Sequence, residues 1–244
     1  MIVTKHYLIL AIFFLANFVH LPAEEKTREE ILEEETNQIM ERSLRLAEQF
    51  YTLEEGKEFK DITDTILESK ETKDSTKELI RSTGRRFILF KYPSDGFLVK
   101  GYLSFLPAAE ENPLLIFLRG GNRIFGLMHP ATDFTCAHNY TVIATTYRGG
   151  VSEGVDEFGG AEVDDVQNLI DYFPKLQEKI GISFAPTKTF ILGGSRGGFE
   201  MFLALNRSPS LQYQITKAVS LSGMLDLQTC IAQREDMREM FIED

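Results

Sequence analysis

The stretch FILGGSRGGFEMFLAL, residues Phe190–Leu205, sets Ser195 between two pairs of glycines, after a short apolar run and before residues at helical spacing. It reads as a strand, a sharp turn and a helix. Gly193-Gly194-Ser195-Arg196-Gly197 carries the pattern G-x-S-x-G. In that pattern a tight strand-to-helix turn lifts a serine hydroxyl clear of a sheet, and flanking glycines avoid collision with the neighbouring elements. The reading makes Ser195 a candidate nucleophile. It also aims the backbone N–H of Arg196, at a helix N-terminus, toward an oxyanion developing on an attacked carbonyl. A glycine-rich turn around a phosphate is the alternative, but neither dinucleotide-fingerprint nor phosphate-loop spacing is present.

Working outward, residues Arg85 to Leu106 (RRFILFKYPSDGFLVKGYLSFL) predict a hairpin of two apolar, aromatic runs joined through Pro93, Ser94, Asp95 and Gly96. Further short apolar runs predict strands over Leu114–Leu118, Val142–Thr146, Thr189–Leu192 and Ala218–Leu221. Helical patterns lie around Ala131–Ala137, Glu162–Leu176 and Arg196–Leu205. Strands alternating with helices specify an α/β fold, a mostly parallel sheet with helices on both faces. Active sites of such sheets form at the carboxyl ends of the strands, so the loops leaving each strand matter most. The loop after Leu118 reads RGGNRIFG, and its glycines allow a backbone N–H to approach a substrate oxygen. Gly121 is the candidate second oxyanion donor, with Gly120 beside it.

The loop after the Val142 run contains Tyr147-Arg148-Gly149-Gly150, then Glu157-Phe158-Gly159-Gly160-Ala161-Glu162 and Asp164-Asp165-Val166. Together with the GxSxGG turn, with Ser94-Asp95-Gly96 and with Gly101-Tyr102-Leu103, this co-linear set closely resembles the prolyl oligopeptidase family of serine peptidases. The resemblance spans about Arg85 to Asp226. It implies an α/β-hydrolase catalytic domain in which Ser195 is acylated and an acid and a histidine follow later in the chain. The family often places Tyr or His before the first glycine of the Leu114 loop; Arg119 stands there, which leaves backbone N–H groups as donors. A gating β-propeller is not expected, because residues 24–80 are too few and read as helical. Arg148 with Asp164 or Asp165 is expected to be a buried pair that fixes its loop.

Of the net charge of −11, residues 24–80 carry −9, from 18 acidic and 9 basic residues. The acidity therefore belongs to an N-terminal extension, residues 24–84, and no basic stripe remains to suggest a nucleic-acid partner. Within it Ile31, Leu32, Ile39, Met40, Leu44, Ala47 and Phe50 form an apolar helical stripe, expected to pack on the chain's own domain; self-association is the alternative. Ser75-x-x-Glu78 has the form of a capping box opening a second helix. Residues 1–23 (MIVTKHYLILAIFFLANFVHLPA) read as a secretory signal peptide, or alternatively as an uncleaved membrane anchor, so the mature protein is expected outside the cytoplasm without a stable membrane span. Cys136 and Cys230 lie in no metal-type spacing, and buried thiols are expected ahead of a disulfide. Neither a metal nor another cofactor is expected.

Forty-nine residues follow Ser195, and no histidine is among them. They hold one strand, Asp226 and a polar helix-like tail, so residues 85–244 read as a partial domain that lacks its last strands, an apparent C-terminal truncation. His6 and His20 fall in the leader; His138 and His129 remain, and His129 could line the cleft, although a surface or helix-capping role is expected of it. Asp226 could stand in for the acid. The expected activity is serine-type hydrolysis of a peptide or small ester, with little turnover by this chain. A non-catalytic binding protein or gene relic is the alternative, and an exposed sheet edge would favour self-association.

Overall fold

The computed structural model describes residues 27–107, 111–132 and 137–233. The leader, Cys136 and the last eleven residues lie outside them, so the readings of signal peptide and disulfide concern undescribed residues. Cys230 is a half-buried free thiol. No helix among the described residues is long and apolar enough to cross a membrane.

Among the described residues, seven strands form one sheet: β1 (Phe59–Asp61), β2 (Arg86–Ser94), β3 (Phe97–Phe105), β4 (Leu114–Leu118), β5 (Thr141–Thr145), β6 (Thr189–Gly194) and β7 (Lys217–Leu221). Their spatial order is β1-β2-β3-β5-β4-β6-β7. Strands β5, β4, β6 and β7 run parallel, and the meander β1-β2-β3 is appended to them antiparallel. Every residue of β4 and β5 is buried, as a strand covered on both faces requires. The anticipated hairpin is present, but its loop is shorter. Pro93 and Ser94 pair with Leu98 and Phe97 inside the ladder, leaving only Asp95 and Gly96 to turn. Both have positive φ, 49° and 89°, which matches the twist of the flanking strands in a two-residue turn.

Among the described residues, seven helices accompany the sheet: α1 (Arg28–Phe50), α2 (Thr63–Glu68), α3 (Asp74–Thr83), α4 (Val163–Ile180), α5 (Arg196–Arg207), α6 (Pro209–Gln214) and α7 (Leu227–Gln233). One core lies between the sheet and α4–α6, where Val166, Leu169, Leu176, Met201, Ala204 and Leu211 meet Ile116, Leu118 and Ile191. The other lies on the opposite face, where Leu46 and Phe50 of α1, Ile66 of α2 and Ile80 of α3 cover Phe87, Leu89, Leu115 and Phe117. The acidic extension is thus one wall of the domain, and β1, which its helical pattern did not announce, extends the sheet. Of the anticipated stripe of α1, Phe50 is sealed whereas Met40 and Leu44 face solvent, and Leu46, which the stripe did not include, is sealed beside Phe50.

The capping box expected at Ser75 does not form. Helix α3 starts one residue earlier, after Lys73, with no side-chain cap. The reciprocal cap occurs instead at α1, where Glu30 N–H donates to the Thr27 hydroxyl at 3.2 Å and Thr27 N–H donates to Glu30 at 2.7 Å.

Candidate active site

Ser195 occupies the turn between β6 and α5 with φ 52° and ψ −122°, backbone that an L-residue holds only under constraint. The constraint is visible. Ser195 N–H donates to the Leu221 carbonyl at the end of β7 (2.8 Å), and Gly198 N–H donates to the Ser195 carbonyl (2.9 Å). The glycines let α5 lie directly on the sheet: a Cβ at Gly193 would stand 2.1 Å from the Gly197 carbonyl oxygen, and one at Gly197 2.0 Å from that of Leu118. Ser195 therefore rides at the carboxyl ends of β4, β6 and β7, half-buried, and no described side chain hydrogen-bonds its hydroxyl.

The loop after β4 lies against it. A Cβ on Gly120 would come 3.0 Å from the Cβ of Ser195, and Gly121 holds a positive φ of 70°. Among the described residues, neither Gly121 N–H nor Arg196 N–H has a protein acceptor. Arg119 turns inward and is buried. Its guanidinium donates to the carbonyls of Gly120 (2.9 Å), Phe125 (3.1 Å), Arg123 (2.6 Å) and Thr146 (3.0 Å). Burial, and then the neighbouring Arg196, lower its pKa.

Beneath the serine the Arg196 side chain enters a sealed cage that the sequence did not reveal. Its guanidinium bonds Asp156 (2.6 Å), Glu162 (2.8 Å), Glu200 (2.9 Å) and the Gly121 carbonyl (3.1 Å). The rings of Phe158 and Tyr147 lie 4.4 and 5.1 Å from it. Burial opposes its charge, but the hydrogen bond it donates to Asp156 and the acidic side chains around it raise its pKa above the usual arginine value. Glu162 also accepts N–H groups from Glu157, Gly159 and Gly160 and so shapes the whole EFGG turn. Glu200 is different: its Oε2 is buried with no hydrogen-bond partner. Burial and the nearby Glu162 charge, only partly offset by Arg196, push its pKa up to about 8. With Glu200 protonated, the one guanidinium of the cage faces two carboxylates, those of Asp156 and Glu162.

That balance has a measurable sign. The folded carboxyl holds its proton up to about pH 8, whereas the unfolded one releases it near 4.5. The proton's contribution to stability is complete below pH 4.5 and is lost as pH rises to about 8. Glu200→Gln keeps an acceptor for Arg196 and cannot ionise. Thermal unfolding of the two proteins from pH 5 to 9 should show the variant gaining on the parent across this window, by at most ~1.4 kcal/mol per pH unit, and then levelling. A constant difference would exclude a buried proton on Glu200.

The other anticipated residues fall into place unevenly. Arg148 pairs with Asp165, at 2.7 Å, and not with Asp164; it also reaches Asp95 at 2.7 Å. Ser94 donates to the same Asp165 carboxylate, so the SDG turn and the YRGG loop are tied by one buried arginine. His129 does not line the cleft. It is 1% exposed, lies edge-on to Phe50, accepts the N–H groups of Ala131 and Thr132 on Nδ1, and meets the Thr72 hydroxyl through Nε2 at 3.0 Å. With Nδ1 occupied as acceptor, the proton sits on Nε2 and points to Thr72. Asp226 spends its carboxylate on capping α7, accepting from Gln228 N–H, Thr229 N–H and the Thr229 hydroxyl, which holds its pKa low. Among the described residues there is no His/Cys/Asp/Glu group suited to a metal ion.

No family model matches the chain. It is 28% identical over 151 residues to the uncharacterized peptidase YtmA of Bacillus subtilis, an alignment covering 61% of this chain and 56% of that protein. The fold is similar to that of a rice cell wall degrading esterase, LipA, from Xanthomonas oryzae, with TM-score 0.50 and 14% identity, over 65% of this chain and 50% of the esterase. The acylaminoacyl peptidase of Pyrococcus horikoshii aligns more loosely, with TM-score 0.46 and 20% identity over 59% of this chain and 24% of its own. The chain thus spans about half the length of YtmA and of LipA and about a quarter of the acylaminoacyl peptidase. The fold is that of the α/β-hydrolases, and in sequence the chain is similar to the peptidase YtmA.

Proposed function

We propose that the chain carries the nucleophile half of a serine hydrolase that cleaves peptide or ester bonds through an acyl-serine intermediate. The Ser195 oxygen attacks the substrate carbonyl carbon and its proton passes to a base. The N–H groups of Arg196 and Gly121 hold the oxyanion. The C–N or C–O bond then breaks, the leaving group takes the proton, and water releases the acyl group from Ser195. The observation that carries this reading is the strained serine of the elbow, placed beside two backbone N–H groups that no described protein atom engages. The peptidase relative favours the same chemistry.

The described residues place no imidazole on Ser195, and this supports low turnover by the 244-residue chain. Loss of a triad base costs on the order of 10⁶-fold in kcat. It also favours, as a second reading, a non-catalytic binding role. Export, directed by the leader, and self-association through β7, where Val219 is 47% exposed, belong to the same proposal.

A fluorophosphonate probe followed by peptide mass spectrometry tests it. Labelling confined to Ser195, completed over hours and abolished in Ser195→Ala, is expected. Labelling within minutes would show an activated serine and remove the low-turnover part, whereas no Ser195 adduct would remove the nucleophile.

A further inference from the structure

We propose that Arg119 and Arg196 act through their side chains as positioning residues for the oxyanion loop: two buried guanidiniums hold the consecutive carbonyls of Gly120 and Gly121 inward and so leave the Gly121 N–H on the Ser195 side. The inference rests on the reading of Gly121 as an oxyanion donor. Peptide planarity supplies the logic, since in a trans unit the carbonyl and the following N–H point in opposite directions. Arg119 takes the Gly120 carbonyl at 2.9 Å, so the N–H of that unit, which belongs to Gly121, faces away from Arg119. Arg196 takes the next carbonyl, that of Gly121, at 3.1 Å and prevents the pair of units from swivelling together.

The loop needs such a clamp because its backbone is intrinsically free to turn elsewhere. Gly121, Arg123 and Gly126 all hold positive φ, at 70°, 47° and 77°. Arg119 is unusual in answering this with carbonyl oxygens alone. Three of its acceptors, Gly120, Arg123 and Phe125, lie within the loop, and the fourth, Thr146, anchors them to the end of β5. The Tyr147 ring lies 5.4 Å from the Arg119 guanidinium and 5.1 Å from that of Arg196, so the two cations share one aromatic partner. The charge on Arg196 is in turn fixed by Asp156, Glu162 and Glu200, which tie it to the next loop. The residue following the nucleophile therefore serves the oxyanion site twice, through its own N–H and through its side chain's hold on Gly121.

The test uses fluorophosphonate labelling of the full chain and of Arg119→Met and Arg119→Lys, each checked for folding by circular dichroism. The maximal labelling rate of Arg119→Met should fall roughly tenfold or more with the half-saturating probe concentration unchanged, because oxyanion contacts form only as the phosphorus is attacked. Arg119→Lys, which restores the charge but not the fork, should recover part of the rate. A folded Arg119→Met that labels at the parent rate overturns the proposal. A second measurement holds even if the variants do not fold. In the parent protein labelled with ¹⁵N-glycine, the Gly121 amide should shift downfield and gain exchange protection when the Ser195 adduct forms. An adduct with an unchanged Gly121 amide overturns the proposal, whereas absence of any adduct overturns the nucleophile assignment instead.

Discussion

Arg196→Met is expected to lower stability by about 3–5 kcal/mol, the cost of leaving buried carboxylates without their counter-charge. For a domain of this size that corresponds to a fall in Tm of roughly 6–20 °C. The size follows from the burial of every partner: the Arg196 side chain and those of Glu162 and Glu200 have no exposure, and that of Asp156 has 1%. Water cannot replace the lost guanidinium, and the thioether offers Asp156 and Glu162 nothing to accept from. Arg196→Lys should be intermediate, because an ammonium keeps the charge but cannot span three carboxylates and the Gly121 carbonyl. Combining Arg196→Met with Asp156→Asn and Glu162→Gln should recover a large share of the loss, since the stranded charges are then removed as well. Thermal unfolding of these proteins decides the matter. An Arg196→Met midpoint within two or so degrees of the parent would show that the cage is not the stabilising unit described here.

Gly197→Ala should be nearly as severe, about 3 kcal/mol or more, with a different cause. An added methyl carbon would lie 2.0 Å from the Leu118 carbonyl oxygen and 2.7 Å from that of Arg119, both backbone atoms of the sheet and the oxyanion loop. No side-chain rotation relieves such an overlap. Helix α5 must lift from β4, and the movement pulls Ser195 away from the Leu221 carbonyl that anchors it. Gly84→Ala provides the comparison: Gly84 has a positive φ of 67° but nothing within 4 Å of an added Cβ, so only the local backbone cost of about 1 kcal/mol applies. Denaturant unfolding should separate the two variants clearly, and equal losses would mean that the close approach of helix and sheet is not what demands glycine.

The strands and the elbow were legible because their signals are local. Apolar runs such as Leu114–Leu118 are bounded by Asn112 and Pro113 on one side and by Gly120 and Gly121 on the other, and the turn at Ser195 carries its glycines beside it. The Arg148–Asp165 pair could be anticipated because both residues sit in one motif. The cage around Arg196 could not. Asp156 lies forty residues before its partner, and only the approach of two loops over the sheet turns an apparently solvated acid into a buried one. The spacing of Arg196 and Glu200 on α5 was visible, but nothing local said that both would be sealed. His129 escaped for a related reason: its burial depends on Phe50 and Thr72, from an extension expected to pack on the domain but at no particular place. Strand β1 is three exposed residues, too short to show alternation.

The two-faced core carries a practical consequence for anyone trimming this gene. A fragment begun at Arg85, where the hydrolase motifs start, would keep every residue of the elbow and the oxyanion loop. It would also strip Leu46, Phe50, Ile66 and Ile80 from above Phe87, Leu89, Leu115 and Phe117. It would cut the bonds of Lys100 to the Tyr51 carbonyl and of Tyr51 to the Met128 carbonyl as well. Such a fragment would present those four apolar side chains of the sheet to solvent and is expected to be less soluble than the full chain. The acidic helices that look dispensable on paper are one of the two covers of the sheet whose strand ends carry Ser195 and Gly121.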